Sequence, residues 1–259
     1  METFHLTRWE MSQLLLSLNG QSEKAPKNIL QEAWAKSHRE LIEGGQSLGA
    51  FISTALPPIF EKLMNMNPSD LGLSLNDIVS LGSQIEYNHF ALTAVQNWVK
   101  RDLKEIIGAP KLGKKYSIEQ AAILFIIEDL RAALDLESIR KLLLLIFHDF
   151  DDQAKDLISP IDLYAGYSRI FEELDQNNDQ VLDLQSSHLS KDKKQDHLME
   201  TMIKKKADEF ASSLPGLNSE QQEAVSNTLV IAMLSVQTTY FQTLAKRFLN
   251  ASLFLHNLR

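Results

Sequence analysis

The chain has 259 residues, of which 44% are hydrophobic and 23% are charged, as in a folded globular protein rather than a disordered one. It contains no cysteine, which excludes disulfides, thiolate metal sites, iron–sulfur clusters and cysteine nucleophiles. No apolar run approaches the roughly 18 residues of a membrane span. No secretory signal is visible either, so we expect a cytoplasmic protein with no membrane partner. Only 10 glycines and 7 prolines predict a mainly α-helical fold.

The net charge of −8 is unevenly distributed along the chain. The stretch 149–185 carries ten acidic and two basic side chains, a sum of −8 that accounts for the whole imbalance. The stretch 98–116 carries six basic and two acidic side chains, a local sum of +4. A local basic surface can face a phosphate backbone on an acidic protein. The alternative is a solvated helix face followed by a charged loop.

Capping and proline signals predict three helices in the first 69 residues, beginning at Arg8, near Pro26 and at Pro58. Thr7 and Glu10 form a capping box for the first helix, which should end at Asn19 and Gly20. The second helix is expected to continue to Gly44. We assign residues 1–69 to an N-terminal helical region.

A candidate β-wing follows two further helices. Ser74 and Asp77 form the capping box of one helix, and the other runs from about 92 to 103. The segment 106–116 has β-capable ends around a loop rich in Gly, Pro and Lys, which predicts a small β-wing.

Two more capped helices complete this part of the chain. Ser117 and Gln120 form a capping box for an apolar helix, and Asp135 caps the next one. The order helix, turn, helix, wing, helix, helix is that of a winged helix-turn-helix domain. The predicted fold class is therefore mainly α, with a winged helix-turn-helix placed between helical N- and C-terminal regions.

Three segments resemble the DNA-binding domain of MerR-type transcription regulators: 94–100, 113–117 and 136–142. They also resemble uncharacterised bacterial proteins that carry such a domain inside a longer helical chain. The resemblance implies a winged helix-turn-helix at 70–148 that binds double-stranded DNA as a homodimer. Gln96 stands where that family has an arginine, and Ala91 stands where its second helix begins with serine.

The resemblance also implies which residues contact DNA. Gln96 and Asn97 would face the bases, because amide side chains can make paired hydrogen bonds to adenine edges. Lysine and arginine suit phosphate or guanine. The implied DNA-binding residues are Gln96, Asn97, Lys100, Arg101, Lys104, Lys111, Lys114, Lys115 and Tyr116.

No pattern of catalytic or metal-binding residues stands out. The stretch 175–183 imitates the start of an EF-hand loop, but Gln180 replaces the required glycine and Ser186 the bidentate glutamate. An acidic loop between helices is the preferred interpretation. The seven histidines show no i, i+4 pairing, and no phosphate-binding or nucleophile motif is present. We expect no enzyme activity, no catalytic residues, no cofactor and no metal.

The C-terminal region, residues 149–259, is predicted to be helical. One helix opens at Ser159, a second begins near Ser190, and a third of about 38 residues begins at Asn218 or Ser219. Apolar residues cover more than half the circumference of the third helix, which predicts a bundle helix that could be shared with a second subunit.

These observations favour a cytoplasmic DNA-binding transcriptional regulator that acts as a homodimer. Its C-terminal region would dimerise and could receive a small-molecule effector. The absence of cysteine argues against the thiolate metal sensing of some MerR-type proteins. The alternative is a helical protein-interaction or ligand-binding module whose helix-turn-helix is degenerate.

Overall fold

The structure, a computed structural model, describes residues 2–47, 49, 51, 54–66, 72–147, 155–183 and 192–256. The described residues are mainly α-helical, which confirms the predicted class at that level. Two short strands, β1 (Glu2–Thr3) and β2 (Thr54–Ala55), pair in parallel. No helix of the described residues is long and apolar enough to cross a lipid bilayer.

The helices are α1 (Arg8–Leu18), α2 (Pro26–Ser37), α3 (Arg39–Glu43), α4 (Pro58–Met64), α5 (Leu75–Gly82), α6 (Leu92–Asn97), a π-helix (Trp98–Asp102), α7 (Lys104–Ile107), α8 (Ile118–Leu130), α9 (Leu136–Ile146), α10 (Pro160–Asp183), α11 (Asp192–Ser213) and α12 (Ser219–His256). They form two compact units. Unit 1 comprises Met1–Phe125 and Ser159–Ala165, and unit 2 comprises Ile126–Ile158 and Gly166–Arg259. The division into domains at residues 69 and 148 stays a prediction.

Local capping starts the helices of unit 1 where the sequence predicts. The Thr7 hydroxyl accepts a hydrogen bond from the Glu10 backbone N–H at 3.2 Å, and the Thr7 N–H donates to the Glu10 carboxylate at 2.9 Å. Ser74 and Asp77 repeat this exchange at the start of α5. Each box satisfies amides that have no partner within the helix. The capping boxes predicted at Thr7 and at Ser74 are therefore confirmed.

An aromatic cluster fixes the core of unit 1. The Phe90 ring packs edge-on against Phe125 with 5.4 Å between ring centroids, and Phe125 contacts Tyr164 at 5.9 Å. A Cβ atom on Gly82 would lie 2.6 Å from the Phe90 ring, so α5 approaches this ring more closely than any side chain would allow. The turn after α5 is also held by backbone hydrogen bonds between Leu6 and residues 84–86.

The second helix is interrupted, which corrects the prediction of one helix from Pro26 to Gly44. α2 ends at Ser37 and α3 begins at Arg39, because His38 leaves the helical conformation with φ −115° and ψ 24°. The His38 ring is buried and stacks on Trp34 at 4.6 Å, and its Nδ1 lies 2.9 Å from the Trp34 carbonyl oxygen. This local contact replaces continued α-helix.

The helix predicted over 92–103 is α-helical only to Asn97 and continues as the π-helix. The Leu103 N–H donates to the Trp98 carbonyl five residues earlier. A regular α-helix would place the polar Asp102 after Val99 on the inner face, and the wider turn brings buried Leu103 there instead.

The predicted β-wing is wrong. Residues 104–107 are helical, and β-pairing in the described part of 106–116 is limited to single bridges, Leu112 with Lys115 and Leu73 with Tyr116. The β-branched residues Ile106 and Ile107 are buried in α7 rather than paired in a strand. Tertiary burial therefore overrides their strand propensity.

Unit 2 is built around α11 and α12, which pack along each other. α10 approaches them closely, because a Cβ atom on Gly166 would lie 2.9 Å from the Phe210 ring. The Lys206 ammonium donates to the Glu173 carboxylate and joins α10 to α11. This hydrogen bond, with a second one from Arg169, holds the pKa of Glu173 below its usual value. The Tyr167 hydroxyl donates to the buried Asp129 carboxylate at 2.8 Å.

The acidic loop predicted at 175–183 is also wrong, because α10 continues to Asp183 without interruption. The stretch contains no glycine or proline that would end a helix. Ser186 and residues 149–152 of the acidic stretch lie outside the described residues.

Candidate nucleic-acid interface

The basic residues singled out in the sequence lie on two consecutive segments of unit 1. Lys100 and Arg101 belong to the π-helix and Lys104 to α7, and all three side chains are exposed. Because the inner face is occupied by Val95, Trp98 and Leu103, the charged side chains of this segment point to solvent. We name six exposed residues the basic surface: Lys100, Arg101, Lys104, Lys111, Lys114 and Lys115.

The other three lysines of the basic surface lie on the loop 108–116. Leu112 and Lys115 exchange two backbone hydrogen bonds, of 3.0 and 3.1 Å, around a two-residue turn. Gly113 begins this turn with φ +67°, a conformation that side chains with a Cβ rarely adopt. A Cβ atom on Gly72 would lie 2.7 Å from Lys115 Cβ, so the loop packs closely against the chain before α5.

The side chain of Gln120 holds this loop through four hydrogen bonds. Its Oε1 accepts hydrogen bonds from the Ser117 and Lys111 N–H groups, at 3.0 and 3.3 Å. Its Nε2 donates to the Ile107 and Ala109 carbonyl oxygens, both at 2.8 Å. The side chain is only 1% exposed, so these bonds are made in a desolvated environment where their loss is costly. The capping-box signal located Gln120, but nothing in its local sequence indicated the two contacts to residues 107 and 109.

Tyr116 lies in the interior of unit 1, unlike the other DNA-binding residues implied by the resemblance. It is 7% exposed, and its backbone pairs with Leu73. Burial raises the pKa of its hydroxyl. The residue therefore supports the loop by packing, and it lines a shallow groove with Ser74, Asn76 and Lys114.

The two side chains expected to face bases differ in accessibility. Asn97 is exposed at the end of α6, whereas Gln96 is half-buried. Of the two amides, Asn97 is therefore the one available to a partner without rearrangement.

Ion pairing separates the basic surface from most other basic side chains. Eleven described lysines and arginines elsewhere form ion pairs: Lys24, Lys36, Arg39, Lys62, Arg131, Arg140, Lys141, Arg169, Lys204, Lys205 and Lys206. Four lysines of the basic surface form none within the described ranges: Lys100, Lys104, Lys114 and Lys115. Outside the basic surface, Lys27 and Lys246 also form no ion pair within the described ranges. Among the described residues, Arg101 forms an ion pair with its neighbour Asp102 alone, at 3.7 Å.

The described residues show no other constellation with obvious chemistry. No group of three or more His, Asp and Glu side chains in these ranges is arranged to hold a metal ion. His148, the histidine with the nearest carboxylates in sequence, lies outside the described residues.

Comparison with known proteins gives a family without an assigned activity. The profile of a domain of unknown function (DUF1836) matches residues 66–167, which include the whole basic surface. The chain is 33% identical over 247 residues to a protein of Bacillus subtilis (strain 168) described as "Uncharacterized protein YkrK", covering 95% of this chain and 97% of that protein. No solved structure matches the chain.

These findings correct the resemblance to MerR-type regulators. The profile that matches the segment is DUF1836, and single bridges stand where a β-wing was predicted, so the MerR-type assignment is wrong. The chain belongs to the family of the B. subtilis protein YkrK, whose similarity extends over almost its entire length.

Proposed function

We propose that the chain binds double-stranded DNA through the basic surface and acts as a transcriptional regulator. The observation that supports this most strongly is a set of four exposed lysines that form no ion pair with any described residue, whereas most of the other described cations are paired. A lysine without a carboxylate partner has no protein contact to break before it meets a phosphate. It therefore contributes its full charge to binding.

The mechanism is electrostatic association followed by reading of bases. Each phosphate neutralised by a lysine or arginine releases condensed counterions, so affinity should fall steeply with salt. Asn97, exposed beside Lys100 and Arg101, can make paired hydrogen bonds to an adenine edge. The amide supplies sequence preference, while the cations supply affinity and orientation.

The rigid backing of the basic surface favours a role in recognition. The loop that carries Lys111, Lys114 and Lys115 is held by Gln120 and by the packing of Tyr116. A surface held in one conformation loses less entropy when it binds than a mobile loop does.

The variant Lys114→Ala/Lys115→Ala tests this proposal. We expect it to weaken binding to a duplex of random sequence and to reduce the salt slope by about two contacts' worth. The measurement is fluorescence anisotropy of labelled duplex DNA over a salt series that starts at about 50 mM. The variant should keep the thermal stability of the parent protein, since both side chains are exposed.

A matched control is Lys204→Ala/Lys205→Ala. It removes the same charge from two adjacent lysines, the half-buried Lys204 and the exposed Lys205, but these are paired with Asp208 and Glu209. The control should bind DNA like the parent protein. Equal loss in both variants would mean that net charge alone governs binding, and it would contradict a specific basic surface.

The regulatory part of the proposal is tested by selection of bound fragments from a fragmented bacterial genome. Recovery of one recurring site upstream of genes supports a regulator, and loss of that preference in Asn97→Ala should follow. If the protein has no DNA affinity at low salt, the proposal fails. The helical protein-interaction or ligand-binding module would then be the better description.

A further inference from the structure

The C-terminal half of α12 carries large apolar side chains that nothing in the described structure covers. α12 has 38 residues and a length of about 57 Å. All of its buried residues lie between Val225 and Val236. From Ala245 to His256 every side chain is exposed, including Phe248 and Phe254.

One row of these side chains follows a strict seven-residue spacing. Its members, with their exposed fractions, are Leu234 (48%), Phe241 (57%), Phe248 (68%) and Leu255 (58%). Leu234 is two residues, or about 200° of helix rotation, from buried Val236. The row therefore runs along the face opposite to the one that packs inside unit 2. α-Helices pack along one another as coiled coils through two apolar positions in every seven residues, and this row supplies one of the two.

We propose that this row is an interface between two copies of the chain, with the two α12 helices antiparallel. The inference is independent of DNA binding and assigns the surface through which the homodimer predicted from the sequence would form. The interface comprises the row and the smaller residues beside it, Leu244, Ala245 and Ala251.

The spacing of the row sets the register of the antiparallel arrangement. In this register Phe248 lies opposite the partner's Phe241, and Leu234 lies opposite the partner's Leu255. Each of the four members of the row is then covered by another large apolar side chain.

Charge favours the same arrangement. Residues 224–256 contain two cations, Lys246 and Arg247, and no acidic residue. A parallel pair would place each of the two cations beside its own copy. The antiparallel register separates the two Arg247 positions by about five residues, or about 7 Å along the axis.

The area is sufficient for a specific dimer. With about 200 Å² for an exposed phenylalanine and somewhat less for leucine, the row exposes about 430 Å² of side chain per copy. Leu244, Ala245 and Ala251 increase this value, so a pair would bury about 1,000 Å², the area that a specific interface requires.

The first test is the mass of the purified full chain at micromolar concentration by light scattering. We expect a dimer for the parent protein and at least about 30-fold weaker association for Phe241→Gln/Phe248→Gln. The matched control is Leu249→Gln/Leu253→Gln, which removes two equally exposed leucines from other faces of the same segment and should remain dimeric. Circular dichroism should show the same helix content in all three proteins.

Orientation is tested by cross-linking, which is simple because the chain has no cysteine of its own. Phe241→Cys mixed with Phe248→Cys should form a disulfide between chains, and neither variant alone should do so efficiently. Cross-linking of Phe248→Cys with itself would show a parallel pair and overturn the proposal. A monomeric parent protein overturns it as well. A dimer formed by the Phe241→Gln/Phe248→Gln variant would also overturn it. The same holds for a monomeric protein that binds vesicles of phosphatidylcholine and phosphatidylglycerol through this helix.

Discussion

Gln120 connects α8 to the loop that carries half of the basic surface, through both ends of its side-chain amide. Oxygen and nitrogen have different partners here: the oxygen accepts from two N–H groups and the nitrogen donates to two carbonyl oxygens. A carboxylate of the same shape can satisfy only the first pair. The position therefore requires glutamine, and not merely a polar residue of this size.

Gln120→Glu should lower the free energy of unfolding by about 2–4 kcal/mol, because the Ile107 and Ala109 carbonyl oxygens lose their donors and face a carboxylate. Chemical denaturation near neutral pH measures the change. Gln46→Glu makes the same replacement at an exposed position and should stay within about 0.5 kcal/mol of the parent protein. Equal stabilities of the two variants would show that Gln120 does not hold the loop.

The carboxyl of Asp77, at the start of α5, makes the stability of the protein depend on pH. Burial raises the pKa of its carboxyl, but hydrogen bonds from Lys62 and Ser74 outweigh burial and leave the pKa below its usual value. A carboxylate with a lowered pKa in the folded state stabilises the protein fully above its ordinary pKa. That stability is lost as the pH falls through the folded-state pKa.

Asp77→Asn should therefore be less stable than the parent protein at pH 6, and the difference in stability between the two proteins should become smaller toward pH 3. Thermal unfolding of both proteins across this pH range measures the difference. The control is Glu40→Gln, which removes an exposed carboxylate without an ion pair among the described residues. If Asp77→Asn and the parent protein lose stability in parallel on acidification, the carboxylate does not contribute as described.

Among the elements, α5 depends on a glycine whose role no local pattern indicates. Alanine normally stabilises a helix relative to glycine by about 0.5–1 kcal/mol. At Gly82 the added Cβ would meet three atoms of the buried Phe90 ring, at 2.6 to 2.9 Å. The ring is held by Phe125 and cannot move away freely.

Gly82→Ala should destabilise the protein by about 1–3 kcal/mol, because overpacking outweighs helix propensity. Denaturant unfolding measures the change, and Ser80→Ala, a half-buried position of the same helix, should be neutral or slightly stabilising. A gain in stability in Gly82→Ala would show that α5 and Phe90 are farther apart than described.

Helix starts could be predicted from the sequence because their causes are local. Capping boxes and prolines act within four residues, and the starts at Arg8, Pro26 and Leu75 follow from them. The break at His38 and the π-helix could not be predicted in this way. The break accompanies burial and stacking of the His38 ring on Trp34, and the π-helix accompanies burial of Leu103. Periodicity alone reports neither.

In the candidate site, too, features with local causes could be predicted and features that depend on tertiary contacts could not. Lysines on a polar helix face and a glycine-rich loop are expected to be exposed, and they are. The support beneath them is tertiary: the contacts of Gln120 to residues 107 and 109 and the burial of Tyr116 require the folded chain. The prediction of a β-wing was wrong because the β-branched residues Ile106 and Ile107 are buried in a helix.

For the whole molecule, net charge is a poor guide to partners. The excess of acidic residues lies in 149–185, and the basic surface lies in 100–115. Binding to a polyanion depends on the local field at the contact, since salt at physiological concentration screens charges more than about 8 Å away. A chain of net charge −8 can therefore carry a functional cationic surface.

The salt dependence of duplex DNA binding by the unmodified protein tests the central claim most directly. If four to six cations of the basic surface contact phosphates, the logarithm of the association constant should fall with the logarithm of salt concentration with a slope of about −4 to −5 per bound chain. Fluorescence anisotropy between about 50 and 200 mM salt covers the required range. A slope of this size supports DNA binding through the basic surface. Absence of binding at about 50 mM salt, or binding that does not change with salt, would contradict it.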